Sequence, residues 1–210
     1  YPAYTITTGF SGTPNILPAL SRAGHVEEAF RMFTCTDFTS WLYPVTKGAT
    51  SIWERWNGYE VAFAEGHSNA MNSFNHFALG AVGQWMYEYQ LGITNNHGRG
   101  EAGYKHFVLQ PSAGADYISL SGSYASCYGV IRSSWTADGK GTLTSYRTTI
   151  PANTTATLYL PVADVVSVCK EIEGAKFMGK SFRHGIPVAV YELESGSFEF
   201  VVRGDQVEVH

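Results

Sequence analysis

Two different hydrophobic periodicities divide the chain, and the first is helical. Apolar residues recur every three or four positions in the stripes at residues 16–20 and 26–33, which is the spacing of one face of an amphipathic helix. Gly24 separates the two stripes and suits a left-handed stop between them. The pattern predicts a helical hairpin whose first helix is capped by Thr13, with Pro14 at its first position.

The helical spacing continues to about residue 92. An aromatic-rich stretch at residues 37–45 predicts a short helix and a turn, and residues 58–70 read as a polar loop. The stripe from Asn72 to Tyr89 predicts one helix, with His76 in its first turns and Gly92 as its end. Three or four such helices do not enclose a core of their own. Several Trp and Phe side chains are therefore expected to face outward, unless upstream residues or another chain cover them.

The second periodicity is that of strands, and it follows an Asn- and Gly-rich linker at residues 95–103. Short β-rich segments alternate there with Gly, Pro, Asn and Asp turns, which predicts an antiparallel β-sandwich. Asp138-Gly139 and Ser195-Gly196 are predicted hairpin turns. The expected domains are therefore helices at residues 1–102 and a sandwich at residues 103–210. The predicted strands are His106–Gln110, Tyr117–Ser121, Val130–Trp135, Thr142–Ile150, Thr154–Leu160, Ser167–Glu171, Pro187–Glu194 and Ser197–Arg203.

Composition narrows the function classes. The 210 residues are 44% hydrophobic and 15% charged, with a net charge of −4, which indicates a globular chain. Without a basic stripe or cluster, neither a nucleic acid nor an anionic membrane is an expected partner, and no apolar run reaches the length of a membrane helix. The three cysteines are odd in number and form no C-x-x-C, which indicates neither a disulfide framework nor a zinc ribbon and leaves one disulfide open. The histidines show no metal-ligand spacing, so no metal is expected. No cofactor is expected.

The candidate chemistry lies in W-E-R-W and in the segment that follows it. Glu54 stands between Trp53 and Trp56, and His76 lies at the expected mouth of the long helix. Aromatic faces stack on the apolar side of a sugar ring, and a carboxylate moves protons, so this pattern suits a saccharide. The alternative is a core patch in which Glu54 pairs with Arg55.

Several segments, in their order and spacing, resemble bacterial α-L-rhamnosidases of glycoside hydrolase family 78. They are T-T-G-F-S-G-T-P-N-I-L-P-A-L, T-S-I-W-E-R-W, M-N-S-F-N-H-F-A-L-G-A-V-G-Q-W-M-Y, G-Y-K-H-F-V-L-Q-P and I-P-A-N-T-T-A-T-L-Y-L-P. The resemblance implies the last helical hairpins of an (α/α)6 barrel followed by a C-terminal sandwich. It also implies an inverting hydrolase for terminal α-L-rhamnose that uses no metal in its chemistry.

The resemblance assigns roles to two residues. Glu54 is similar to the family's general base, and His76 matches a position that hydrogen-bonds the bound rhamnose. Trp53 and Trp56 flank the base and are candidate substrate-binding residues. The family's general acid lies upstream and has no match here, so this chain alone is expected to be inactive. Its expected partners are a rhamnose-containing glycoside and the remainder of the barrel, in a bacterial cytoplasm or periplasm.

Other carboxylates and other functions stay open at this point. Glu60, Glu65 and Glu101 are the local alternatives to Glu54, and each is expected to be solvent-exposed in a polar loop. A non-catalytic module for sugar binding or domain packing would fit the same composition, as would an (α/α)6 hydrolase or lyase that acts on another substrate.

Overall fold

Six helices are present among the described residues of the first part of the molecule. The computed structural model describes residues 3–63, 72–95, 102–163 and 168–210, and the chain separates into two compact units, Tyr1–Trp85 and Met86–His210. In the first unit α1 and α2 pack against each other as the predicted hairpin, and α1 also packs against α5 and α6. The helices are α1 (Thr13–Arg22), α2 (Val26–Thr34), α3 (Leu42–Thr46), α4 (Gly58–Phe63), α5 (Phe77–Gly80) and α6 (Val82–Trp85).

The start of α1 differs from the prediction. Thr13 is the first helical residue rather than the cap, which is Gly12. The Thr13 hydroxyl donates to the carbonyls of Thr8 and Gly9 at 3.1 and 3.0 Å, so it ties the helix back to the preceding turn. The capping prediction was wrong because this hydroxyl has nearby acceptors behind it. The hinge after α1 is confirmed, since Gly24 has a φ of 88°.

The segment around residues 58–90 is also divided differently. Its first part was predicted to be a polar loop, but residues 58–63 form α4. The single helix predicted from Asn72 begins at Phe77 and consists of α5, α6 and a π-helical turn over Met86–Gln90. Gly92 ends it as predicted, with a φ of 75°. A Cβ at this position would lie 2.1 Å from the carbonyl carbon of Gln110, so only glycine fits.

Aromatic side chains fill the interior of the first unit. The Trp85 ring is 1% exposed, and its Nε1–H donates to the Ser21 hydroxyl at 2.9 Å. Trp41 is also buried, and its Nε1–H donates to the Leu79 carbonyl at 2.9 Å. The expectation of outward-facing tryptophans was wrong for these rings, because the unit supplies an acceptor for each indole. For phenylalanine it is confirmed: the exposed rings are Phe10, Phe38, Phe63 and Phe77.

Eleven strands among the described residues form the two mainly antiparallel sheets of the second unit, and they confirm the predicted sandwich. The five-stranded sheet has the order β1-β2-β6-β9-β8, and the six-stranded sheet has the order β3-β4-β5-β10-β11-β7. The strands are β1 (Ile93–Asn95), β2 (His106–Leu109), β3 (Ser119–Ser126), β4 (Gly129–Ala137), β5 (Leu143–Ile150), β6 (Thr155–Pro161), β7 (Val168–Cys169), β8 (Ala175–Arg183), β9 (Ile186–Leu193), β10 (Gly196–Arg203) and β11 (Gln206–Val209).

The second unit begins at Met86, ahead of the Asn- and Gly-rich stretch. β1 pairs with β2 through Ile93 and Leu109, so residues ahead of the Asn- and Gly-rich stretch already belong to a sheet. Two pairings, β2 with β6 and β7 with β11, are parallel. The inward side chains of both sheets make one core, which includes Trp135, Tyr191 and Phe200.

The two predicted hairpin turns have different outcomes. Asp138 opens the loop between the paired strands β4 and β5, as predicted, and its Oδ1 accepts from the backbone N–H groups of Lys140 and Thr142. Ser195-Gly196 is not a hairpin. It joins β9 of one sheet to β10 of the other, so the chain crosses the sandwich there instead of turning back along the same sheet. No helix in the described ranges is long and apolar enough to cross a membrane.

Candidate functional site

Two stretches of chain, residues 51–58 and 72–76, lie side by side and carry the candidate site. The N–H of His76 donates to the Ile52 carbonyl at 2.8 Å. At the other end, the Asn72 side-chain amide donates to the Gly58 carbonyl at 2.9 Å. These bonds bring W-E-R-W next to N-S-F-N-H, although a polar segment separates the two motifs in the sequence.

Glu54 sits in the middle of this pair of segments. Its own N–H donates to the Ser73 carbonyl at 2.8 Å, and its Oε2 accepts the Ser73 N–H at 2.7 Å. The side chain is half-buried, so the carboxylate is held at one oxygen and remains partly accessible. A fixed, accessible carboxylate is the geometry that proton transfer to or from a bound molecule requires.

The two tryptophans beside Glu54 have different surroundings. Trp53 is 2% exposed and packs against Tyr59 at a centroid distance of 4.2 Å and edge-on against Phe74 at 5.6 Å. Trp56 is half-buried and stands edge-on to Trp41 at 5.8 Å. Of these two rings, Trp56 is the one with accessible surface.

His76 is the N-cap of α5 rather than a residue within it. Its backbone is extended, and its Nδ1 accepts the Ala78 N–H at 3.3 Å. The accepting nitrogen carries no proton, so the ring proton resides on Nε2. The half-buried ring is stacked between Phe10 at 4.9 Å and Phe77 at 5.2 Å. Nε2–H is thus a donor with a fixed direction.

The carboxylates that the sequence offered as alternatives to Glu54 lie in different parts of the chain. Glu60 is exposed on α4 and accepts the Tyr43 hydroxyl at 2.6 Å; this hydrogen bond is the main cause that raises the pKa of Tyr43. Glu65 and Glu101 lie outside the described residues. Within the described part of the chain no cluster of His, Cys, Asp and Glu could hold a metal ion.

Sequence reasoning missed two contributors to this geometry. Ser73 acts through its backbone, and a backbone donor leaves no signature in residue type. Phe10 stacks on His76 from a segment more than sixty residues earlier. It falls within one of the segments that carry the family resemblance, which was the available signal, but helical periodicity could not connect it to His76.

The helical hairpins and the sandwich of two sheets each match a family model. Residues 2–90 match the family described as the bacterial alpha-L-rhamnosidase 6 hairpin glycosidase domain, and residues 92–175 match the bacterial alpha-L-rhamnosidase C-terminal domain. The chain therefore belongs to the bacterial α-L-rhamnosidase family, which confirms the resemblance and the expected fold class.

Curated relatives match nearly the whole chain. An α-L-rhamnosidase of Streptomyces avermitilis is 36% identical over 197 residues, which are 94% of this chain and 18% of the relative. An α-L-rhamnosidase of Formosa agariphila is 38% identical over 157 residues, which are 74% of this chain and 16% of the relative. The chain thus spans less than a fifth of the length of these relatives.

Solved structures of α-L-rhamnosidases also match nearly the whole of this chain and only a small part of their own length. The crystal structure of the Streptomyces avermitilis α-L-rhamnosidase complexed with L-rhamnose matches with a TM-score of 0.73 and 34% identity, over 95% of this chain and 18% of that one. The native Aspergillus terreus enzyme matches with a TM-score of 0.74 and 28% identity, over 96% of this chain and 20% of that one.

Proposed function

We propose that this chain forms part of a glycoside hydrolase that removes terminal α-L-rhamnose with inversion, and that Glu54 is its general base. The observation that carries the proposal is the hydrogen bond between the Ser73 N–H and Glu54 Oε2 at 2.7 Å. It fixes one carboxylate oxygen and leaves the half-buried group able to take a proton from a water molecule.

The proposed mechanism needs a second carboxyl group. In an inverting site the two groups lie about 6.5–9.5 Å apart, so that water fits between the base and the sugar. One carboxylate cannot both protonate the leaving oxygen and deprotonate water. We assign the acid to residues outside this chain, in the part of the barrel that its relatives have and this chain does not span. The chain alone is therefore expected to lack hydrolase activity.

Two further residues have proposed roles in sugar binding. His76 donates from Nε2–H to a rhamnose hydroxyl, because its Nδ1 is engaged with the Ala78 N–H. Trp56 offers its accessible surface to the apolar side of the sugar. Trp53 is enclosed by Tyr59 and Phe74, so its role in this proposal is to support the backbone of Glu54 rather than to stack on substrate.

A chimaera tests the proposal. Residues 1–210 replace the matching segment of the Streptomyces avermitilis enzyme, which supplies the remainder of the barrel, and hydrolysis of an aryl α-L-rhamnoside is measured. Glu54→Gln should lower the rate by about 10²–10⁴-fold, the usual contribution of a general base. Glu60→Gln is the matched control and should leave the rate unchanged, since Glu60 bonds to Tyr43 at the surface.

Two outcomes would overturn the assignment. If Glu54→Gln keeps the chimaera's rate while Glu60→Gln abolishes it, the base is misplaced. The anomer released first is read by proton NMR; release of the α anomer first would exclude inversion. Robust hydrolysis by the isolated 210-residue chain would show that the acid lies within it.

A further inference from the structure

The outer face of the six-stranded sheet carries two polar rows that cross three strands. Strand register places Arg132 of β4 beside Thr149 of β5, which is paired with Ser197 of β10. In the next row Ser134 is beside Arg147, which is paired with Glu199. Together these six residues line a shallow cavity of about 450 Å³.

Strand alternation explains why these residues share one face. On β4, Ser133 lies between Arg132 and Ser134. Ser133 is buried in the sandwich, as are Ile131 and Trp135, the next residues on either side. On β10 the buried residue between Ser197 and Glu199 is Phe198. Side chains at every second position of a strand point to the same side, so the cavity lies on the face opposite the core.

The charges on this face leave a positive surplus. Arg147 donates from Nη2 to Glu199 Oε1 at 2.7 Å, and this contact lowers the pKa of the Glu199 carboxyl. Arg132 is exposed, and no ion pair in the described part of the chain involves it. Among the Arg and Glu side chains that line the cavity, two arginines therefore face one glutamate, and Arg132 is the arginine without a carboxylate partner.

Hydroxyl groups surround that surplus charge. Ser134 lines the cavity in the row next to Arg132, and the Thr149 and Ser197 hydroxyls lie 3.0 Å apart across β5 and β10. Neighbouring strands are about 4.8 Å apart, so hydroxyls and guanidinium groups lie within reach of one sugar residue. An arginine recognises a planar carboxylate or a sulfate through two parallel hydrogen bonds, and hydroxyls match sugar hydroxyls.

We propose that this face binds an acidic saccharide unit, with the carboxylate or sulfate group on Arg132 and the ring hydroxyls on Ser134, Thr149 and Ser197. Charge complementarity favours this occupant, because a neutral sugar would leave the Arg132 guanidinium without a counter-charge. The site belongs to the second unit, whereas Glu54 belongs to the first. It rests on the proposed function only in the choice of a saccharide, and its test measures binding rather than hydrolysis.

The experiment titrates the whole 210-residue chain and follows its backbone amide signals by NMR. The probes are trigalacturonate for the carboxylate, galactose 6-sulfate for the sulfate ester, maltotriose for a neutral sugar and inorganic sulfate for an anion without a ring. At least one acidic sugar should shift the amides of Thr149 and Ser197 saturably, and maltotriose should not. Arg132→Gln should raise the Kd about tenfold or more, because a charge-assisted hydrogen-bond pair is lost.

Matched variants make the result decisive. Lys140→Gln removes the same charge from an exposed loop of the same unit and should leave the Kd unchanged, as should Glu54→Gln in the first unit. Arg132→Lys keeps the charge without the planar fork and should weaken binding partially. Equal shifts with maltotriose, equal affinity for inorganic sulfate, the absence of any saturable shift, or an unchanged Kd in Arg132→Gln would each overturn the proposal.

Discussion

Glu54 and Ser73 are joined by two hydrogen bonds, one from each backbone N–H. The Glu54 N–H donates to the Ser73 carbonyl at 2.8 Å, and the Ser73 N–H donates to Glu54 Oε2 at 2.7 Å. The same contact therefore fixes both the main chain and the carboxylate of Glu54. The role proposed for Glu54 benefits from this double attachment, because a base that must meet a water molecule in one geometry then needs little reorientation.

Shortening the Glu54 side chain tests whether the position of its carboxylate matters when the negative charge is kept. Glu54→Asp keeps the carboxylate but withdraws it by one methylene, so it cannot keep the bond to the Ser73 N–H without a backbone shift. In the chimaera we expect kcat to fall about 100-fold, since a displacement of about 1 Å is enough for such a loss. The measurement is steady-state hydrolysis of an aryl α-L-rhamnoside.

Ser73→Ala is the control for this prediction. The alanine keeps the N–H that Glu54 uses and loses the hydroxyl, which accepts the Asn75 N–H at 3.1 Å. We expect kcat to stay within about twofold of the unmodified chimaera, because an exposed hydrogen bond is worth little. If Glu54→Asp were as active as Ser73→Ala, the position of the carboxylate would not matter.

His76 combines a capping role with a proposed binding role, and two substitutions separate them. Asparagine is among the best N-cap residues, so His76→Asn should keep most of the stability while losing the Nε2–H donor. His76→Ala should lose both and destabilise the chain by about 1 kcal/mol, the usual cost of removing a cap. The measurements are thermal unfolding of the 210-residue chain and KM of the chimaera.

Thermal stability and KM should therefore respond differently to the two substitutions. We expect KM to rise about tenfold in both variants, as for the loss of one substrate hydrogen bond, while only His76→Ala unfolds early. A normal KM in His76→Asn would assign His76 to capping alone.

The sequence singled out Glu54 and His76 as candidates because both belong to segments with recognisable neighbours. It could not show that Ser73 supplies the hydrogen bond, since every residue type except proline has the same N–H. Nor could it distinguish Trp53 from Trp56, which occupy equivalent positions on either side of Glu-Arg. Burial separated them, and burial depends on Tyr59 and Phe74, which reach Trp53 only in the folded unit.

The fold was predictable where the local pattern agrees with the tertiary pairing. β4 and β5 have clear β-rich sequences and an Asp-Gly turn, and both were found. β8 was missed, because Gly179 interrupts its pattern where the register with β9 shifts. Ser195-Gly196 has the residues of a hairpin turn but connects two sheets, and a local signal cannot indicate which sheet the following strand joins.

A buried histidine in the five-stranded sheet offers a stability prediction away from the site. His106 is 6% exposed; its Nδ1 lies 2.7 Å from the Thr155 hydroxyl and its Nε2 lies 3.0 Å from the Thr157 hydroxyl. Thr157 donates its single proton to Glu192 at 2.8 Å, so it accepts from the His106 Nε2–H.

Replacing His106 should show how much stability is lost when the buried Thr157 hydroxyl lacks its donor. We expect His106→Leu to lower the free energy of unfolding by about 1–3 kcal/mol, because the buried Thr157 oxygen loses its donor. Adding Thr157→Val should be less damaging in this background than in the parent chain, since the orphaned oxygen is then removed. Urea denaturation measures both effects. Additive losses in the double variant would contradict the proposed coupling.

Asp138 gives the chain a predictable acid dependence. The backbone N–H groups of Lys140 and Thr142 donate to its Oδ1, and the Lys140 bond is the main cause that lowers the pKa of Asp138 below 3.8. A carboxyl whose pKa is lower in the folded than in the unfolded chain stabilises the fold above its unfolded pKa. That contribution disappears as the pH falls through the folded value.

Comparing Asp138→Asn with the parent chain isolates this charge. The amide keeps an oxygen acceptor, so the parent should be the more stable protein at about pH 6, and the difference should shrink as the pH falls below about 4. Asp138→Ala also loses the acceptor and should stay less stable than Asp138→Asn at every pH. Chemical denaturation followed through NMR signals of β4 and β5 measures the three proteins. A difference between parent and Asp138→Asn that is independent of pH would show that the negative charge of Asp138 does not stabilise this loop.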